Sequence, residues 1–291
     1  MKILRSLLFI PGNRPDMLAK ANKYSPDAFI PDMEDSVPLS EKRNARKHIN
    51  EVMENLLSLG VPIIPRINSL NSGLAYEDIK VALTHKVFGI SVGKVSSSRD
   101  INKLSEIIAV AEVNHGYEIG STKLVIWIET AESIINVREI AMASPRILAL
   151  AFGAEDYTND MAINRRSDDS EIVFARHCVA VAARSANLLA LDTPYFEFKN
   201  NEGLKADVGT AKSIGFTGKF AIHPDQIEAI NNGFIPSAEE IEYSKHIVNE
   251  YQKAVKLGKG AIGLDGLVID VPVVKRAQAV IDMLDSIRDR E

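Results

Sequence analysis

Charged side chains come at or soon after the ends of several short apolar runs in this 291-residue sequence. Glu129 and Asp156 follow two consecutive runs, Arg66 follows an earlier one, and Glu34 and Asp35 follow the second run of the chain. Carboxylate oxygens are the ligands that Mg2+ prefers, and Mg2+ usually takes only one or two of them from a protein. A planar guanidinium binds a carboxylate through two parallel hydrogen bonds. If the runs are neighbouring parallel strands, the pattern predicts a magnesium site at Glu129 and Asp156, beside an arginine that binds a small acid.

These residues also have structural interpretations. Lys94, which follows the fourth apolar run, could pair with a neighbouring carboxylate, and Glu129 and Asp156 could pair with Arg66 without any metal. Zinc is disfavoured, because the sequence has a single cysteine and no pair of histidines at helical spacing. Several carboxylates gathered at one point repel one another unless a cation lies among them, which favours the metal site.

Eight short apolar runs alternate along the chain with longer segments that have apolar residues at helical spacing. The predicted strands are residues 7–10, 28–30, 63–67, 89–92, 124–128, 147–151, 188–191 and 220–222. The predicted helices between them are residues 15–24, 40–59, 101–113, 131–143, 170–186 and 203–214. The alternation predicts an α/β protein, a (β/α)8 TIM barrel with a C-terminal helical extension. In such a barrel the carboxyl ends of the strands meet at one face, where the charged residues would converge.

The chain is predicted to divide near residue 230. Residues 1–230 would form the barrel, and residues 231–291 an extension that packs on the barrel or on an adjacent subunit. A Ser-x-x-Glu capping box begins a predicted long helix at 237–257, and a final helix is predicted at 272–290.

Composition excludes several classes of function. The formal net charge is -5 and the basic residues are dispersed, so no basic stripe could follow a nucleic-acid backbone. No apolar stretch approaches the roughly 20 residues of a membrane-spanning helix. The sequence therefore predicts a cytoplasmic enzyme with no nucleic-acid or membrane partner.

Seven segments of the chain resemble, in order, the motifs of one known family. They are residues 8–15, 32–37, 65–68, 128–132, 152–156, 218–224 and 267–270. The family is the citrate lyase β-subunit-like branch of the HpcH/HpaI aldolases, which includes malyl-CoA and citramalyl-CoA lyases. The resemblance extends from Leu4 to about Ala279, and an ordered set of motifs is more specific than any single short pattern.

The resemblance implies a magnesium-dependent barrel enzyme that assembles as a homotrimer or hexamer. Glu129 and Asp156 match the metal ligands, and Glu129 would also contact the substrate. Arg66 matches the arginine that binds the substrate's carboxylate. Glu34 and Asp35 match acidic positions near the metal and are candidate catalytic residues.

Two further residues gain a role only from the resemblance. Arg14 lies in the loop after the first strand, which commonly meets the phosphates of coenzyme A. Asp270 lies in a segment that, in CoA-dependent members, reaches over the mouth of an adjacent subunit, and its aspartate is the proposed general acid/base there. From local sequence alone, Asp270 is also a good N-cap for a helix with Pro272 in its first turn.

The predicted reaction is cleavage of a 3-hydroxy-acyl-CoA, such as malyl-CoA or citramalyl-CoA, into acetyl-CoA and a small 2-oxo acid, or the reverse condensation. Mg2+ would be the cofactor and the coenzyme A thioester the substrate. One alternative is a citrate lyase β subunit acting on a citryl thioester of an acyl carrier protein, and another is a malate-synthase-like or thioesterase activity. A non-enzymatic binding module is disfavoured, because unneutralised carboxylates such as Glu129 and Asp156 are costly to keep.

Overall fold

The computed structural model describes residues 3–288 of the chain. These residues form two compact units, one of which is Leu4–Asn231. The smaller unit comprises the residues from Asn232 onwards together with Ile3. Neither unit contains, among residues 3–288, a helix with the length and apolar character needed to cross a membrane.

The larger unit is a closed barrel of eight parallel strands, which confirms the predicted fold. The strands are β1 (Ser6–Pro11), β2 (Ala28–Asp32), β3 (Arg66–Ile67), β4 (Gly89–Val92), β5 (Lys123–Ile128), β6 (Ile147–Phe152), β7 (Leu189–Asp192) and β8 (Gly218–Ala221). Each strand pairs with the next, and β8 pairs with β1 to close the sheet. All carboxyl ends therefore open onto the same face of the barrel.

Helices surround the strands. They are α1 (Pro15–Leu18), α2 (Lys42–Leu57), α3 (Ala75–Leu83), α4 (Ser98–Asn114), α5 (Ala131–Ile135), α6 (Val137–Met142), α7 (Ala154–Asp160), α8 (Val173–Ser185), α9 (Asn201–Ser213) and α10 (Ile227–Phe234). The helix predicted over residues 131–143 is interrupted at Asn136, where the backbone leaves the helical conformation (φ -93°, ψ 7°) and the side chain donates a hydrogen bond to the Ser96 carbonyl at 3.0 Å. Helices α3, α7 and α10 were not predicted.

The third strand is shorter than predicted. Only Arg66–Ile67 pairs as a strand, and Ile63 forms an isolated bridge with Phe29. Pro65 lies between them and has no N–H to donate to a neighbouring strand, which interrupts the ladder. Arg66 is nevertheless placed in register with Asp32 of β2 and Ser91 of β4.

Three aromatic side chains fill the interior of the barrel. Phe9, Trp127 and Phe220 lie with ring centroids 4.3 to 5.9 Å apart. The Trp127 indole N–H donates to Ser91 Oγ at 2.8 Å, so its polar atom is satisfied in this buried position. This packed layer gives a rigid base to the open end of the barrel.

The smaller unit is built from two helices and a hairpin. Helix α11 (Ala238–Lys256) begins at the predicted capping box, in which Ser237 Oγ accepts from the Glu240 N–H at 3.0 Å. Strands β9 (Ile262–Leu264) and β10 (Leu267–Ile269) form an antiparallel hairpin that was predicted only as turns. Helix α12 spans Val271–Arg288, and the final two residues of the helix predicted at 272–290 lie outside the described residues.

Candidate active site

A cavity of about 500 Å3 opens at the carboxyl ends of the barrel strands. Arg66, Glu129 and Asp156 line it, as the sequence pattern indicated, and so do Asp32 and Asp35. Phe9 and Trp127 of the aromatic layer also contribute to its wall. The charged groups that follow the strands therefore share one concave, partly apolar space, which is the usual setting of a small-molecule site.

Glu129 directly follows β5 and is buried, with 3% of its surface exposed. Its Oε1 accepts a hydrogen bond from the Lys94 backbone N–H at 2.6 Å. Two glycines make room for the carboxylate. A Cβ at Gly93 would lie 2.5 Å from Glu129 Oε1, and a Cβ at Gly153 would lie 2.4 Å from Glu129 Oε2. The carboxylate therefore lies in a slot whose walls admit no side chain on either side.

The electrostatics of the cavity connect Glu129 with Asp156, in the first turn of α7. Burial, and then the nearby charges of Asp156 and Glu34, raise the pKa of Glu129 to about 8. Burial also raises the pKa of Asp156, against the opposing effect of Lys94. The charge of Asp156 thus opposes the ionisation of Glu129, and a bound cation would relieve that opposition.

Glu34 adds a further oxygen to this cluster. Its side chain is buried, and burial raises its pKa to about 7 although Arg66 opposes the shift. Its Oε2 accepts no hydrogen bond from the described part of the chain, and Nη1 of Arg66 lies 3.5 Å away. A buried carboxylate oxygen without a donor is costly and is normally matched by a cation.

The donor set fits Mg2+. Among residues 3–288, no group of three or more histidine, cysteine or acidic side chains is arranged to hold a metal ion. Mg2+ does not need such a group, because it commonly binds one or two carboxylates and keeps water or substrate at the remaining positions. Glu129 and Asp156 supply a pair of hard oxygen ligands of this kind.

Arg66 is held by a residue that the sequence analysis did not single out. Its Nε and Nη2 donate to Oδ1 and Oδ2 of Asp32, each at 2.7 Å. Asp32 is fully buried, and the face of Phe9 lies 4.6 Å from the Arg66 guanidinium carbon. Nη1, which makes no bond with Asp32, faces the acidic side of the cavity, where Asp35 Oδ2 is 3.4 Å away. The second strand was predicted to end at residue 30. A prediction extended through Pro31 would have ended at Asp32, as β2 does.

Lys94 pairs with the carboxylates, as its structural interpretation proposed. Its ammonium lies 3.2 Å from Glu34 Oε1, 3.2 Å from Asp35 Oδ1 and 3.7 Å from Asp156 Oδ1. Its backbone adopts the left-handed conformation, with φ of 57°. Nothing in the sequence signals that conformation, since Lys94 is not a glycine.

Two predicted site residues, Arg14 and Asp270, make local contacts within their own segments. Arg14, in the loop between β1 and α1, is half-exposed and forms a two-bond pair with Asp16 at 3.0 Å. Asp270, in the smaller unit, is half-buried and accepts a hydrogen bond from the Val273 N–H at 3.3 Å through its Oδ1. The N-cap interpretation of Asp270 is therefore confirmed, and its role in catalysis stays a prediction.

Comparisons with known proteins identify the family of the chain and its fold. Residues 5–224 match the family described as HpcH/HpaI aldolase/citrate lyase. The chain is 34% identical to the citrate lyase subunit beta of Haemophilus influenzae, with 98% of each chain covered. It is 29% identical to the mitochondrial citramalyl-CoA lyase of Rattus norvegicus, with 98% of this chain and 87% of that protein covered. The crystal structure of CitE from Mycobacterium tuberculosis, in complex with magnesium, acetoacetate and coenzyme A, shares the fold with a TM-score of 0.79 at 23% identity, covering 96% of this chain and 97% of that one.

Proposed function

Because the chain belongs to the HpcH/HpaI aldolase/citrate lyase family, we propose that it is a magnesium-dependent lyase that splits a 3-hydroxy-acyl-CoA into acetyl-CoA and a 2-oxo acid. The observation that carries the proposal is the shared cavity in which Glu129 and Asp156 face Arg66. The names of two relatives, a citrate lyase subunit and a citramalyl-CoA lyase, support this class of reaction. Malyl-CoA and citramalyl-CoA are the proposed substrates.

Glu129 and Asp156 would hold the metal. When bound, Mg2+ supplies Lewis-acid chemistry at the substrate's oxygens. The Gly93 and Gly153 slot fixes the Glu129 carboxylate before any ligand arrives, and such preorganisation lowers the cost of binding.

Arg66 would bind the free carboxylate of the substrate. Because Asp32 accepts from Nε and Nη2, the orientation of the guanidinium is fixed, and Nη1 is free of Asp32 to donate to the substrate. A fixed cation fits an anionic substrate group without loss of side-chain freedom on binding. Asp35, which is 3.4 Å from Nη1 in this structure, would give way to the substrate.

In cleavage the substrate's hydroxyl would lose its proton to water and become the carbonyl of the 2-oxo acid, while the electron pair of the broken carbon–carbon bond stays on the acetyl thioester as an enolate. The enolate carbon must then receive a proton. We assign that proton to Asp270, on the strength of the family resemblance. The Val273 N–H holds Oδ1, which leaves Oδ2 for proton transfer. Arg14, which is half-exposed next to β1, is the proposed contact for the phosphates of coenzyme A.

The test is a substrate panel. Purified protein is incubated with malyl-CoA, citramalyl-CoA or citryl-CoA, with MgCl2 or with EDTA, and acetyl-CoA is quantified by chromatography. We expect magnesium-dependent release of acetyl-CoA from at least one thioester. A Lewis-acid contribution of several kcal/mol corresponds to a loss of about 100-fold or more in rate in Glu129→Gln and Asp156→Asn.

Glu155→Gln is the matched control. Glu155 also lines the cavity and precedes Asp156 in α7, but its carboxylate pairs with Arg165 at 3.0 Å. It should retain most of the activity. Cleavage that continues in EDTA, or an equal loss in Glu155→Gln and Asp156→Asn, would contradict the proposal.

A second candidate is the β subunit of a citrate lyase, which the 34% identity to the Haemophilus influenzae protein favours. It predicts turnover of a citryl thioester on an acyl carrier protein, with partner subunits, and none of the free CoA thioesters. Hydrolysis of malyl-CoA to malate and CoA would instead indicate the thioesterase-like alternative. For either lyase we propose a homotrimer or hexamer, which light scattering in solution would test.

A further inference from the structure

Lys94 enters the carboxylate cluster in two separate ways. Its backbone N–H donates to Glu129 Oε1 at 2.6 Å, while its ammonium lies 3.2 Å from Glu34 and from Asp35, and 3.7 Å from Asp156. Both contacts are made from a residue whose backbone is left-handed, with φ of 57°. A left-handed conformation is unfavourable for a residue with a Cβ, and it clusters at functional sites where the surroundings enforce it.

The acidic side chains near the Lys94 ammonium outnumber the basic ones. Glu34, Asp35, Glu129 and Asp156 face one space, whereas Arg66 is engaged with Asp32 through two hydrogen bonds. A lysine ammonium carries a positive charge at neutral pH, and this one lies within 3.7 Å of carboxylate oxygens of Glu34, Asp35 and Asp156. Lys94 is therefore a cation that belongs to the chain and lies among carboxylates that would also attract a metal.

We propose that Lys94 is a positioning residue that acts as a built-in counter-ion, holding the carboxylate cluster together without metal and competing electrostatically with Mg2+ for it. The competitive part rests on the proposed function. The backbone N–H supports Glu129 whatever the side chain is, so replacing the side chain removes the charge and leaves this hydrogen bond in place.

This division of roles gives two predictions of opposite sign. Lys94→Met keeps the side-chain length and the left-handed backbone but removes the charge. The metal-free protein should become less stable, because the carboxylates then repel one another without a counter-ion. The affinity for Mg2+ should rise, because the divalent ion no longer has a nearby positive charge to oppose it.

The experiment compares the wild type with Lys94→Met by thermal unfolding in EDTA and in MgCl2, and by calorimetric titration with MgCl2. In EDTA, the Tm of Lys94→Met should be lower by about 3 °C or more, as expected for the loss of about 1 kcal/mol in a chain of this size. The Kd for Mg2+ should fall about 10-fold or more, from the repulsion removed at this distance. Magnesium should therefore raise the Tm of the variant more than that of the wild type.

Lys205→Met is the matched control. Lys205 also pairs with a carboxylate, Glu202 at 2.8 Å, but on the exposed surface of α9. It should change neither the Tm nor the Kd. Weaker Mg2+ binding in Lys94→Met, or a Tm in EDTA equal to that of the wild type, would overturn the inference.

Two other outcomes also decide the matter. If Lys94→Met folds only when Mg2+ is present, the metal has replaced the missing charge and the inference holds. If it folds in neither condition, the lysine does more than supply a charge and the inference fails. A wild type that binds no Mg2+ would refute the proposed function, while the unfolding comparison in EDTA would still test the counter-ion role.

Discussion

Replacing Asp32 with asparagine would remove the charge that holds Arg66 while nearly preserving the size of the side chain. Asp32 is fully buried, and its two oxygens accept from Nε and Nη2 of Arg66 at 2.7 Å each. An asparagine amide places a donor where one of these oxygens stood, so one hydrogen bond becomes a contact between two donors.

The structure sets the size of the effect. Breaking a buried pair by removing one partner typically costs about 3 to 5 kcal/mol. Glu34 and Asp35 lie 3.5 and 3.4 Å from Nη1 of Arg66 and partly offset the loss. We therefore expect about 3 kcal/mol, which for a chain of this length lowers the Tm by about 6 to 12 °C. The KM for the substrate should also rise, since Asp32 positions the guanidinium.

Urea unfolding and steady-state kinetics measure the two effects, and Asp27→Asn provides the control. Asp27 lies just before β2 and pairs with Nε and Nη2 of Arg5 at 2.9 Å, a similar two-bond contact at the opposite end of the strand. Asp27→Asn should lose stability with an unchanged KM, whereas Asp32→Asn should lose both. An unchanged KM in a folded Asp32→Asn protein would refute the assignment of Arg66 to the substrate.

Three further predictions concern the metal and the proposed acid. Gly153→Ala would place a Cβ 2.4 Å from Glu129 Oε2 and should weaken Mg2+ binding about 10-fold or more in calorimetry, while Gly209→Ala, where nothing lies within 4 Å, should not. Because the pKa of Glu129 rises from an ordinary 4.5 to about 8, the folded metal-free state holds a proton that the unfolded chain releases. In EDTA, the free energy of unfolding should therefore fall as the pH rises from 4.5 to about 8. Over the same interval the affinity for Mg2+ should rise, because metal binding releases this proton. Equal affinity at both ends of the interval would contradict this prediction. Asp270→Asn keeps a good N-cap, so unfolding should be nearly unchanged while turnover falls; undiminished turnover would leave Asp270 with a capping role only.

The fold and the convergence of Glu129 and Asp156 on one cavity followed from one regularity of the sequence. Short apolar runs that alternate with helical segments indicate parallel strands, and the carboxyl ends of parallel strands meet. This placed Glu129, Asp156 and Arg66 together without knowledge of any contact. The prediction was limited where a single residue alters the local backbone, as Pro65 does in the third strand and Asn136 does in the helix predicted over residues 131–143.

The groups that surround Glu129 and Asp156 were less predictable. Asp32 ends a strand that was expected to stop two residues earlier, so its position opposite Arg66 could not be seen from the pattern. The ammonium of Lys94 lies within 3.7 Å of three carboxylates, and its backbone is left-handed, which the sequence does not signal. Tertiary packing enforces that conformation, and local propensity disfavours it for lysine.

The most direct test of the account is the location of the metal. Crystals grown with Mn2+ in place of Mg2+ would be measured at the manganese absorption edge, so that anomalous scattering marks the ion. We predict one peak at coordinating distance from carboxylate oxygens of both Glu129 and Asp156, within reach of Arg66, and its loss in Glu129→Gln. A peak bound by neither carboxylate, or none in crystals of protein that is active with Mn2+, would contradict the central claim.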